Sequence, residues 1–150
     1  MKRVTLVACI LIVCATLMMA GLATAGQPKA HTVGIELDDN NCPVVAFPNQ
    51  ISVAAADTIT WQSVTIFRNP EFGIIEAMEP APKSFSILFA PFPSPFVNQS
   101  FQSRPDGIAR STPIQGGLTE EEAVYKYTVV SSDDSDCPPL DPSILVEAEQ

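Results

Sequence analysis

Tyr125-Lys126-Tyr127-Thr128-Val129-Val130 is followed by SSDDSDCPPLDPSILVE over 131–147. From Ala123 to Ser131 the side chains alternate. Val124, Lys126, Thr128 and Val130 share one face; Tyr125, Tyr127 and Val129 share the other. β-Branched and aromatic residues at period two predict a half-buried β-strand. An acidic turn carrying Cys137 comes next, and Ser143 to Glu147 predicts a closing strand. Cys137 could be a metal ligand, a nucleophile or half of a disulfide.

The same pattern recurs upstream. Helical periodicity is nearly absent, and 14 prolines and 7 glycines cut the chain into short pieces. His31–Leu37, Pro43–Phe47, Gln50–Ala54, Thr58–Val64 and Ser84–Ala90 each predict a strand. DDNN at 38–41 marks a turn. In the Thr58 strand, Ile59, Trp61 and Ser63 fall on one face. Residues 67–83 read as irregular, with FGIIEAM at 72–78 as a helical turn, and 91–117 reads as one long connection. About seven or eight short strands with turns between them predict an all-β, two-sheet antiparallel sandwich with Greek-key links.

The N-terminus has its own logic. Lys2 and Arg3 precede an apolar run, and Ala23-Thr24-Ala25 offers an A-x-A site before Gly26. This is the layout of a secretory signal peptide at 1–25, removed to leave one domain over 26–150. Loss of Lys2 and Arg3 takes the formal charge from −9 to −11. So acidic a chain repels phosphate backbones, which excludes nucleic acid as a partner. It also lacks a basic patch for anionic lipid, and no stable membrane insertion is expected after cleavage. The expected location is the periplasm or the secreted space. Cys9 and Cys14 leave with the signal, so Cys42 and Cys137 remain in an oxidising compartment, where two cysteines pair. Closing so long a loop is worth roughly 4–5 kcal/mol in the chain-entropy model.

Ala56-Asp57-Thr58-Ile59-Thr60-Trp61 resembles the gly-asp-thr-x-x-trp strand of the cupredoxins, the plastocyanin-like copper proteins. Tyr125 to Val129 resembles their tyr-x-phe-x-cys strand, and Ser143 to Val146 stands where their last strand ends the domain. The resemblance covers about residues 42–66, 84–90 and 122–148. It implies the sandwich fold, and it implies that a Cys42–Cys137 bridge would tie the terminal strands at one end. It does not bring the chemistry with it. A blue-copper site needs two imidazoles, a thiolate and a weak axial ligand. The thiolate position is Val129, the axial position is Leu140, and neither 64–69 nor 131–135 contains a histidine. No cofactor is expected.

Three other features bear on function. A Cys42–Cys137 bridge would crowd Asp38, Asp39, Asn40 and Asn41 against Asp133, Asp134 and Asp136. Solvated turns account for these residues; Ca²⁺ at that rim, or copper at His31 with acidic neighbours, is the alternative. Phe89 to Phe101 interleaves phenylalanine with proline. Burial is the favoured reading of that loop, and a partner-binding patch of Phe92, Phe96 and Phe101 the other. Asn98-Gln99-Ser100 is a glycosylation sequon in a host that glycosylates. One histidine beyond the signal and two bridged cysteines supply no nucleophile–base pair, so no enzyme is expected. The expectation is a non-catalytic binding or structural module of the bacterial envelope. Its partner would be an unidentified protein or small molecule.

Overall fold

The computed structural model describes residues 27–116, 121–133 and 136–148. The expected signal peptide and Asp134 lie outside these residues. Among the described residues there is no helix. The strands are β1 (Ala30–Leu37), β2 (Pro43–Phe47), β3 (Gln50–Val53), β4 (Thr58–Arg68), β5 (Ile75–Pro80), β6 (Phe85–Leu88), β7 (Ser100–Gln102), β8 (Ile108–Arg110), β9 (Ala123–Lys126), β10 (Thr128–Ser131) and β11 (Ser143–Val146). One sheet runs β2-β1-β4-β5, with β8 also on β4; two smaller sheets run β10-β6-β7 and β3-β11-β9.

The arrangement is a β-sandwich in which the second layer is split. Alternation places Val33, Ile35, Ile59 and Trp61 of the large sheet in one buried cluster with Phe85, Ile87 and Val129 of the second and Val53, Ile144 and Val146 of the third. Rings fill its centre. Trp61 lies 6.1 Å from Phe96, 5.5 Å from Phe101 and 5.8 Å from Tyr127 between centroids, a spacing that favours aromatic pairs.

The sheets are not purely antiparallel as expected. β1 pairs parallel with β4, and β11 parallel with β3. The run from Ala123 to Ser131 keeps its alternation but is not one strand. Lys126 pairs with Ser143 of β11, whereas Thr128 pairs with Leu88 of β6. Between them the Tyr127 N–H donates to Pro142 O at 3.1 Å, and its ring is buried. One extended segment therefore serves two sheets, switching at the residue whose aromatic ring anchors the core.

The region read as irregular differs most. β4 runs on to Arg68, and residues 75–80 return antiparallel to it, pairing Ile66 with Met78 and Phe67 with Ala77. The helical turn expected at 72–78 is absent. Gly73 sits at φ 67°, in the left-handed region, and the pairing of Ile75 onward with β4 holds the backbone extended. Gly34 of β1 is a close approach: a Cβ there would lie 3.0 Å from Val64 Cγ2 and 3.4 Å from Met78 Sδ. The missing side chain leaves room on that face of the sheet for the Val64 and Met78 side chains of β4 and β5. The long connection at 91–117 also contains the short strands β7 and β8.

Candidate binding surface

Cys42 and Cys137 form a disulfide with a Cα–Cα distance of 5.2 Å. The pairing brings the two acidic turns together as expected, and Asn41 Nδ2 donates to Asp133 Oδ2 at 3.3 Å. The Asp38 carboxylate, however, is used by its own turn. Its Oδ1 accepts from Asn40 N and Cys42 N, both at 2.9 Å. Lys83 Nζ donates to Leu37 O at 3.1 Å and Asp38 O at 2.6 Å. Beside this turn is an open cleft of about 360 Å³, lined by Glu36, Leu37, Asp38, Asp39, Val44, Thr65 and Lys83. Among the described residues no group of three or more His, Cys, Asp or Glu is placed to hold a metal. Asp38, Asp39, Asp133 and Asp136 thus do not converge on one point, and His31 is not among them.

His31 has another role. Its Nε2 lies 2.7 Å from Asp57 Oδ2. The same carboxylate accepts from Lys29 N at 2.7 Å and Ala54 N at 3.0 Å. Asp57 therefore ties the entry of β1 to the turn before β4. Burial pushes its pKa up, but the Lys29 and Ala54 amides and the His31 ring outweigh that and hold it below the ordinary carboxylate value. Sequence reading saw Asp57 only as part of a strand motif; nothing in the spacing of 29, 31, 54 and 57 marks them as neighbours.

The proline-rich loop divides. Phe96 is 2% exposed and Phe101 7%, both against Trp61, while Phe92 is 45% exposed. Phe96 and Phe101 are core, so a partner-binding patch made of all three is ruled out; burial, the favoured reading, holds for two of them. The loop turns inward because its phenylalanines complete an aromatic cluster that the short strands cannot fill alone: Phe89 and Phe96 lie 5.6 Å apart, Phe96 and Phe101 5.3 Å.

Besides Phe92 and Val97 of this loop, large apolar side chains are exposed together at the tip of the β4–β5 hairpin. Phe72 is 73% exposed and Ile74 63%, with Phe67 and Met78 half-exposed further along on opposite faces of the hairpin. The tip is organised. Asn69 N donates to Ile74 O and Gly73 N to Asn69 O, both at 2.8 Å. Asn69 Oδ1 accepts from Glu71 N at 2.9 Å and Phe72 N at 3.2 Å, and its Nδ2 donates to Glu76 Oε1 at 2.8 Å. One asparagine thus caps the turn with both ends of its amide. At the base, Arg68 pairs with Glu36 at 2.7 and 3.3 Å, and that carboxylate raises the already high pKa of the guanidinium. Sequence reading missed this surface. The signals present were Asn69-Pro70 and the Phe72-Gly73 pair, which mark a turn, and the two isoleucines after it.

No family model matches the chain. No curated protein matches it either. Among solved structures the chain is similar to the cysteine protease inhibitor EhICP2 from Entamoeba histolytica, at 12% identity and a TM-score of 0.35, over 83% of this chain and 100% of that one. A likeness that weak carries no argument about what this chain does.

Proposed function

We propose that this chain is an exported, non-catalytic binding module of the bacterial envelope, built on a cupredoxin-like sandwich that has no type-1 copper site. The observation that carries the binding role is the hairpin tip. Large apolar side chains are costly to leave in water, and here a hydrogen-bonded loop holds two of them there. An ordered loop loses little entropy on docking, which suits it to a partner.

The structural part of the reading rests on separate supports. The disulfide fits an oxidising compartment. Among the described residues no helix is long and apolar enough to cross a membrane. The residues present do not fit blue copper. Val129, at the position of the family's thiolate, is fully buried and bridges Leu140, at the axial position, through backbone hydrogen bonds of 2.7 and 3.2 Å. Two aliphatic side chains thus occupy those places, and the histidine sits with Asp57.

Two measurements test the proposal. Chelated, oxidised protein should melt at the same temperature after addition of Ca²⁺, Cu²⁺ or Zn²⁺, with no intense visible band on Cu²⁺ addition. A saturable rise with one metal would replace the reading with metal handling, because a ligand at a hundredfold excess over its Kd adds about 2.7 kcal/mol. The Phe72→Ser/Ile74→Ser variant should melt like the parent. A large drop would make the tip part of the fold and remove the binding surface.

A further inference from the structure

We infer that the partner docking on the hairpin tip is a cationic protein segment, with an apolar centre that receives Phe72 and Ile74 and with Lys or Arg around it. The inference rests on the binding-module reading and adds the partner's chemistry. Residues 68–80 contain Glu71, Glu76 and Glu79 and one cation, Arg68, which is engaged by Glu36 at 2.7 and 3.3 Å. Glu71 adjoins Phe72 in the chain. Glu76 is held at the turn by Asn69 Nδ2. Glu71 and Glu76 therefore flank the apolar tip, Glu79 stands further down β5 opposite Thr65, and the hairpin has no cation besides the paired Arg68, on a chain of formal charge −9. Complementary charge around an apolar centre speeds encounter and rejects wrong partners.

Other occupants fit worse. Among the described residues β5 is an edge strand, paired with β4 alone, so a second copy could pair there. A two-fold antiparallel pairing sets one residue opposite its own copy, and wherever it is centred it brings Glu76 and Glu79 of both copies onto one short seam, where like charges repel. Tip-to-tip contact would press two acidic rims together. The chain's own N-terminal segment is a cleaved signal peptide under the proposed function and is then not present to dock. Anionic lipid is repelled by the same carboxylates.

The test is selection of displayed random peptides, about a dozen residues long, on the immobilised oxidised chain, with counter-selection on Phe72→Ser/Ile74→Ser. Retained peptides should carry an aromatic or aliphatic centre flanked by Lys or Arg. A synthetic copy of one should lose about tenfold or more in affinity with the serine variant. It should lose severalfold with Glu71→Gln/Glu76→Gln/Glu79→Gln, and severalfold again between about 50 and 300 mM salt. Melting curves establish that both variants fold; if the serine variant melts early, the glutamine variant, altered only at exposed positions, carries the comparison. Tip-dependent peptides with no enrichment in cations and no salt response would overturn the cationic partner and leave the binding reading standing. An absence of tip-dependent peptides would overturn both. Concentration-dependent dimerisation abolished by the serine variant would put a second copy in place of the cationic segment.

Discussion

His31 and Asp57 meet at 2.7 Å, and through Asp57 the first strand is fastened to the turn that launches the fourth. The carboxyl binds its proton at lower pH in the folded chain than in the unfolded one. The stability it contributes is therefore present at neutral pH, where both states are ionised. It is lost as the pH falls below about 4, where the unfolded chain takes up the proton first. Asp57→Ala should cost roughly 1–3 kcal/mol at neutral pH, because it takes the shared acceptor from the Lys29 and Ala54 amides and the His31 ring. The variant should also lose part of the parent's stability change between about pH 5 and pH 2. Denaturant melts across that range check both expectations.

Ala56, just before Asp57, has φ 68°. A Cβ in that left-handed region is strained. Ala56→Gly should stabilise by about 0.5–1 kcal/mol, less than the full strain because glycine also loosens the unfolded chain. Gly107 is the opposite case. It has φ 76°, and a Cβ would meet Ala81 O at 2.6 Å. Gly107→Ala should destabilise severely, whereas Gly73→Ala, with nothing within 4 Å, should cost only about 1 kcal/mol of strain. Chemical denaturation of the three variants ranks them.

The disulfide spans 95 residues. In the chain-entropy model its loss costs roughly 4–5 kcal/mol. At the melting response usual for a domain of this size, Cys42→Ser/Cys137→Ser should melt about 10–20 °C lower. Calorimetry of the oxidised and reduced chains gives the same comparison without mutation.

Phe96 and Phe92 stand four residues apart in one loop with opposite fates. Phe96→Ala should cost about 3–5 kcal/mol, since it opens a hole beside Trp61, Phe89 and Phe101. Phe92→Ser, at a half-exposed site, should change stability by less than about 1 kcal/mol.

What the sequence disclosed and what it hid follow from how each element is stabilised. β1, β2 and β4 carry their own signal: alternation such as Ile59, Trp61 and Ser63 reports burial directly, and the Cys42–Cys137 pairing follows from reading the chain as an exported domain left with two cysteines. β5 carries little, because IEAMEP is exposed on nearly every residue and is a strand only through its pairing with β4. The split of the Tyr125–Val130 run was hidden for a different reason. Alternation persists through Tyr127 while the hydrogen-bonding partner changes, and partner identity is a tertiary property. Asp57 and the hairpin tip were unread because their meaning lies in contacts between residues far apart, or in the lack of any cover over Phe72.

The central claim is that the hairpin tip meets another protein. A photo-crosslinking amino acid placed at Phe72 in cells that express the chain tests it most directly. The control is the same substitution at Val97, which is 70% exposed in the loop after Phe96. The expected result is a discrete heteromeric adduct from position 72 and none from 97, with the crosslinked partner peptide rich in Lys or Arg. No adduct at 72, or equal diffuse labelling at both positions, would contradict it.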